Sequence, residues 1–189
     1  KINTRLTFVL GKRFMCGIVG AIAQRNVSQI LLEGLSRLEY RGYDSAGICC
    51  INNQELRCIK TTGKVKNLKE AVKEQGCPGF IGIAHTRWAT HGVPSETNAH
   101  PHICGNLALV HNGIIENYQE LKEKLLKKGY TFYSSTDTEV AVKLIDYYYK
   151  KYEGTPVDAI NHAMVRIRGS YALAVMFNDY PEEIYVARK

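Results

Sequence analysis

No run of about 18 apolar residues occurs in this 189-residue chain, so the sequence offers no membrane-crossing helix. Its six cysteines, Cys16, Cys49, Cys50, Cys58, Cys77 and Cys104, contain no C-x-x-C pair, and Cys49–Cys50 sit side by side in an apolar stretch. That usage encodes neither a disulfide framework nor a zinc ribbon, and it leads us to expect reduced thiols in a cytoplasmic protein. Five of the six histidines fall at 85, 91, 100, 102 and 111, but H-x5-H and H-x-H spacings in loops are not diagnostic and no H-E-x-x-H occurs. We therefore expect no metal. Internal repeats, low-complexity tracts and linker-like stretches are missing too, and the length suits one domain with a sizeable core.

Acidic residues are missing from the first fifteen positions. The formal net charge is +7, and Lys1, Arg5, Lys12 and Arg13 supply more than half of it. The remaining lysines lie mostly on predicted helices beside glutamates, as in Glu120–Lys128, a pattern of solvated helix faces. Basic residues are not gathered with interleaved aromatics, so no nucleic-acid partner is expected. The run Leu6–Leu10 is too short for a signal-peptide core, and no A-x-A site follows. The chain opens on Lys. Residues 1–14 read as upstream sequence or a removable leader, with Met15 as the natural start. Residues 1–15 would then fall away and leave 16–189 as the domain, which is expected to need further strands past Lys189.

The patterning present is that of a layered α+β fold with antiparallel sheet. Strands are expected over Cys16–Ala23, Ala46–Ile51, Glu55–Lys60, Phe80–Ala84, Leu107–Val110, Thr131–Tyr133, Tyr171–Phe177 and Glu183–Ala187. Helical spacing joins Val27, Ile30, Leu31, Leu35 and Leu38, behind a capping box of Asn26 and Gln29. Further helices are expected over Val65–Gln75, closed by Gly76, and over Asn117–Lys128, stopped by Gly129. Another opens on a Thr136/Glu139 capping box and runs to about Lys151. A last one starts at Thr155–Pro156 and ends near Arg168.

Polar residues gather in four places that a core does not need: Met15–Ile18, Arg41–Ser45, His85–Gly92 and His111–Gly113, with Asp137 beyond. Removal of Met15 would give Cys16 a free α-amine of pKa roughly 8, able to serve as general base for its own thiol. A buried strand cysteine is the other reading. Arg87 suits bidentate capture of a carboxylate, or a surface ion pair. Asn112-Gly113 is either an N-G turn or an amide plus an unhindered N–H aimed at a developing oxyanion. Asp137 opens a helix, where the dipole favours a carboxylate in any case, and it could equally receive an amine. Together, a thiol with its own base, a carboxylate clamp, an amine acceptor and an oxyanion hole suit hydrolysis of an amino-acid side-chain amide.

Cys16-Gly17-Ile18-Val19-Gly20, H-T-R-W-A-T-H-G from His85 and H-N-G from His111 resemble the class II glutamine amidotransferases. Within that class, R-L-E-Y-R-G-Y-D-S-A-G from Arg37 and N-A-H-P-H from Asn98 are similar to the branch that moves glutamine nitrogen onto fructose 6-phosphate. The resemblance runs from Met15 to about Lys189. It implies a four-layer αββα N-terminal-nucleophile hydrolase sandwich with two antiparallel sheets, acting on L-glutamine without a cofactor. Cys16 would be the nucleophile, with Asn112 and Gly113 as the oxyanion hole. Arg87 would hold the α-carboxylate, supported by Thr90 and His91, and Asp137 the α-amine. Trp88 would line the pocket, and Arg41 would sit in a closing loop. The resemblance further implies ammonia delivery to a fructose-6-phosphate-binding isomerase half, absent here, in an enzyme that is a homodimer at full length. Another class II amidotransferase, or a silent glutamine-binding domain if Cys16 is never freed, remain open at this point.

Overall fold

The computed structural model describes the backbone of residues 6–10 and all of 17–39, 42–88 and 92–189. Within them lie β1 (Leu6–Leu10), β2 (Gly17–Ile22), α1 (Ser28–Ser36), β3 (Ser45–Asn52), β4 (Glu55–Thr62), α2 (Val65–Gln75), β5 (Ile81–Arg87), β6 (His102–Cys104), β7 (Leu107–Gly113), α3 (Tyr118–Leu126), α4 (Asp137–Tyr152), α5 (Pro156–Arg166), β8 (Tyr171–Phe177) and β9 (Ile184–Arg188). The described strands form two sheets, ordered β1-β2-β5-β3-β4 and β6-β7-β8-β9. Every neighbouring pair is antiparallel.

Side-chain alternation along the strands builds the layers. Ile18, Cys49, Ile51, Ile81 and Ile83 of the first sheet meet Ala108, Val110, Ala174 and Met176 of the second. The alternate residues Val19, Ala21, Ala46, Ile48, Cys50 and Ala84 turn outward onto Leu31 and Leu35 of α1 and Leu68 and Val72 of α2. On the other sheet Leu107, Leu109, Leu173, Val175 and Phe177 pack under α3, α4 and α5, through residues such as Leu121, Ile145 and Ala163. The result is helix, sheet, sheet, helix, as the resemblance implied. Strands covered on both faces must be apolar throughout, and β3 and β5 are buried along nearly their whole length. Each fully buried Ile or Leu contributes roughly 1.5–3 kcal/mol through removal from water.

Several expectations change. The Asn26/Gln29 capping box is not formed: Val27 is the N-cap and carries no side-chain cap bond, while Asn26 Oδ1 accepts from Ser28 N–H at 3.1 Å in a local turn. Thr131–Tyr133 joins no ladder, because its polar groups are taken by α4. Lys143 Nζ donates to the Thr131 carbonyl, and the Tyr133 and Ser134 N–H groups donate to the Glu139 carboxylate at 3.0 and 2.6 Å. That leaves only half of the Thr136/Glu139 box, Glu139 N–H to Thr136 Oγ1 at 3.2 Å. The complete box is at α5, between Thr155 and Asp158 behind Pro156. Strand β6 was not anticipated. Leu6–Leu10, which the sequence did not mark as a strand, pairs along β2 with Leu6 opposite Ile22 and Leu10 opposite Ile18.

Candidate active site

The polar motifs converge at one rim of the sandwich, because β5 and β7 run further than their apolar patterns suggested. Arg87 is the last residue of β5 rather than part of a loop, and His111-Asn112-Gly113 completes β7 rather than forming a turn. Asn112 pairs with Ala172 and Gly113 with Tyr171. In the other sheet Thr86 lies opposite both Gly17 and Ala46, and Thr86 Oγ1 accepts from Gly17 N–H at 3.1 Å. The residue that follows Cys16 is thereby tied to the end of β5. Cys16 itself, Arg41, Thr90 and His91 lie outside the described residues.

Arg87 is only 4% exposed. One guanidinium nitrogen faces Asp44 Oδ1 at 3.5 Å, and the other donates to the Gly92 carbonyl at 3.0 Å. Asp44 is held in return, since its N–H donates to the Arg87 carbonyl at 2.7 Å and Ser45 Oγ donates to its carboxylate at 2.8 Å. The plane of the guanidinium is therefore set before any ligand arrives. Trp88 is 44% exposed, and its ring covers Gly42. There φ is +74°, and a Cβ would stand 2.4 Å from Trp88 Cζ3. A glycine is required on both counts.

Asp137 is the first residue of α4 and is almost fully buried. Its Oδ2 accepts from Ile115 N–H at 2.9 Å, just past the end of β7. Its Oδ1 stands 3.9 Å from His111 Nδ1, which also meets Thr138 Oγ1 at 2.9 Å. Asn112, 3% exposed, places Oδ1 2.7 Å from His85 Nε2. Gly113 has φ +122°, and a Cβ there would lie 2.2 Å from the Ser170 carbonyl. Asn98 joins the 92–93 loop to the entrance of α4: its Nδ2 donates to the Val93 carbonyl at 2.9 Å, and its Oδ1 accepts from Ser135 N–H at 3.0 Å.

Beneath these residues lies a cluster of four histidine rings. The rings of His85 and His100 are 4.2 Å apart, and His100 lies 5.2 Å from His102 and 6.4 Å from His111. His102 Nε2 meets Thr136 Oγ1 at 3.0 Å. Burial pushes His85 down to about 3. Burial, reinforced by neighbouring histidine rings and cations, holds His100 and His102 well below the ordinary range. These rings are neutral hydrogen-bonding and packing groups at working pH. Among the described residues no group of three or more His, Cys, Asp or Glu side chains is placed to hold a metal ion, and no helix is long and apolar enough to cross a membrane.

A layered αββα sandwich with an arginine and an Asn-Gly pair at its strand ends and an aspartate opening a helix is the architecture of an amidotransferase of the N-terminal-nucleophile type. The chain belongs to the glutamine amidotransferase domain family, whose model matches residues 85–189. Among curated proteins, the glutamine–fructose-6-phosphate aminotransferase (isomerizing) of Haemophilus influenzae is 55% identical over 175 residues, covering 92% of this chain and 28% of that protein. The enzyme of the same name from Acinetobacter baylyi is 53% identical over 175 residues, covering 93% and 28%. The chain thus spans little more than a quarter of the curated relatives it matches. Two solved structures share the fold. The glutamine phosphoribosylpyrophosphate amidotransferase of Bacillus subtilis, complexed with ADP and GMP, superposes with a TM-score of 0.77 at 29% identity, covering 91% of this chain and 37% of that one. A structure described as the allosteric regulatory enzyme of purine biosynthesis gives 0.78 at 30%, with the same coverage.

Proposed function

We propose that this chain hydrolyses L-glutamine to glutamate and ammonia, and that the ammonia passes to a region outside the chain which makes glucosamine 6-phosphate from fructose 6-phosphate. The observation that carries the reading is a chain of contacts: Asn112 bonds His85, two residues before Arg87, Asp137 holds the Ile115 N–H just past Gly113, and Thr86 holds the N–H of Gly17, the residue after Cys16. The likeness to the fructose-6-phosphate aminotransferases supports the choice of acceptor.

In this mechanism Met15 and the residues before it are removed, and the Cys16 α-amine takes the thiol proton. Sγ then attacks the side-chain amide carbon. The negative charge that develops on oxygen is met by Asn112 Nδ2 and the Gly113 N–H, fixed donors that need little reorganisation as the charge forms. The α-ammonium returns its proton to the leaving nitrogen, ammonia departs, and water cleaves the thioester by the reverse relay. Arg87 receives the α-carboxylate in a two-pronged contact, with Thr90 and His91 in support. Asp137, the first residue of α4, receives the α-ammonium. Trp88 lines the pocket mouth, and Arg41 belongs to a loop that closes over it. The enzyme works in a reducing cytoplasm, in keeping with free thiols at Cys49, Cys50, Cys58, Cys77 and Cys104, and as a homodimer at full length.

The test compares ammonia release from protein beginning at Cys16 with protein in which intact mass shows residues 1–15 retained. Only the first should turn over, since an amide nitrogen cannot accept the thiol proton near neutral pH. Cys16→Ala should abolish release and Cys49→Ala should keep it. Equal rates with and without the extension, or full activity in the Cys16 variant, would refute the mechanism.

A further inference from the structure

His85 takes no part in the roles assigned above, yet it makes the shortest described contact to the proposed oxyanion residue. It stands on β5 two positions before Arg87, 1% exposed, with Nε2 2.7 Å from Asn112 Oδ1. Strands β5 and β7 belong to different sheets, so this bond crosses the sandwich. A carboxamide oxygen only accepts, and Nε2 must therefore carry the hydrogen. His85 Nδ1 has no close hydrogen-bond partner, and the backbone of His111 lies against the ring as a further polar neighbour. The His100 ring at 4.2 Å holds the imidazole plane.

We propose that His85 is a positioning residue for glutamine hydrolysis: its Nε2–H binds Asn112 Oδ1 and so fixes the orientation of the carboxamide, leaving Nδ2 as the atom presented to the oxyanion. The inference rests on the reading of Asn112 as an oxyanion donor. The two ends of a carboxamide are nearly equal in size, so shape alone does not choose between its two flips. With Oδ1 turned toward the reacting carbonyl, two negative oxygens would face each other as the intermediate forms. A partner that can only donate removes that orientation. Burial keeps His85 neutral through the working pH range, so the donor and its tautomer do not change during turnover.

Removing an oxyanion donor costs about 10²–10³ in kcat. Losing only its orientation should cost less, about 10–100-fold. The experiment uses the whole polypeptide that carries this domain, with Cys16 freed. His85→Leu should lower kcat for ammonia release by that factor and leave KM for glutamine within about twofold, because the α-carboxylate and α-amine contacts are untouched. His85→Gln restores an N–H near the Nε2 position and should recover most of the rate. Asn112→Ala should be slow, and adding His85→Leu to it should cost no more than a further factor of about three. An active Asn112→Ala enzyme would overturn the oxyanion reading and this inference with it. A slow Asn112→Ala enzyme beside a fully active His85→Leu would overturn only the inference, as would equal losses in His85→Leu and His85→Gln. If His85→Leu does not fold, nitrogen-15 NMR of the unsubstituted 189-residue chain decides. A stable Nε2–H tautomer between about pH 5 and 8 supports the assignment, and an Nδ1–H or averaged tautomer overturns it.

Discussion

Acid should unfold this domain at a pH set by its buried histidines. His85, His100 and His102 are each at most 5% exposed. Each is held below its ordinary value of 6.5, His85 to about 3 and the other two well below. The dominant cause in all three is burial, and the neighbouring histidines, with Arg87, Lys60 and Lys143, add repulsion. The sign follows from proton uptake. Below about pH 6.5 the unfolded chain binds protons at these rings that the folded chain refuses, so stability falls with falling pH. Above about pH 7.5 neither state binds them and the full stability is present. At pH 5 a ring that the fold keeps neutral costs about 2 kcal/mol by linkage, a large share of a domain stability of about 5–15 kcal/mol, and His100 and His102 act in the same direction as His85. Urea denaturation followed by circular dichroism at pH 7.5, 6.5, 5.5 and 5.0 should show the unfolding free energy dropping ever more steeply, toward an uptake of about three protons. His100→Gln should remove about one proton from that slope. An unfolding free energy constant within about 1 kcal/mol from pH 7.5 to 5.0 would refute the reasoning.

Arg87→Lys should raise KM for glutamine at least about tenfold, or roughly 1.4 kcal/mol, because an ammonium cannot reproduce the two parallel bonds of the guanidinium. An unchanged KM in steady-state ammonia release would assign the carboxylate to another residue. Gly113→Ala should destabilise the domain by at least about 2 kcal/mol, since φ is +122° and the new methyl would stand 2.2 Å from the Ser170 carbonyl and 2.8 Å from Tyr171 Cα. Calorimetry should then show a fall in Tm of about 4–8 °C, and an unaltered Tm would mean that the end of β7 yields without strain.

Local chemistry was legible where each residue answers to its own neighbours in the chain. Val65–Gln75 and Tyr171–Phe177 were read to the residue, one from helical spacing closed by Gly76, the other from an unbroken apolar run. The N-terminal signals fared unevenly. Thr155 with Pro156 behaved as expected, but Asn26 and Glu139 have partners that outcompete their reciprocal bonds. Glu139 is fully buried, and a buried carboxylate must collect every donor in reach, here Tyr133, Ser134 and Lys143.

The site divided in the same way. Arg87, Trp88, Asn112 and Gly113 stood out in the sequence because a core has no use for such residues at strand ends, and Asp137 because it opens a helix with a carboxylate. His85 stood out only as the head of a motif and as a metal candidate, since a histidine near the end of an apolar strand looks the same whether it packs, titrates or orients another side chain. Its meaning depends on Asn112, 27 residues away and in the other sheet. Sequence by itself determined most of the strands and helices, and which residues are chemically out of place, because both follow from spacing along the chain. Only the tertiary structure decided that β5 and β7 end at the same rim, that Arg87 faces Asp44 and Gly92, and that His85 reaches Asn112. Those facts depend on how two sheets are stacked and in what register, and that is settled by the shared core of Ile18, Ile81, Ile83, Ala108, Val110, Ala174 and Met176 between them.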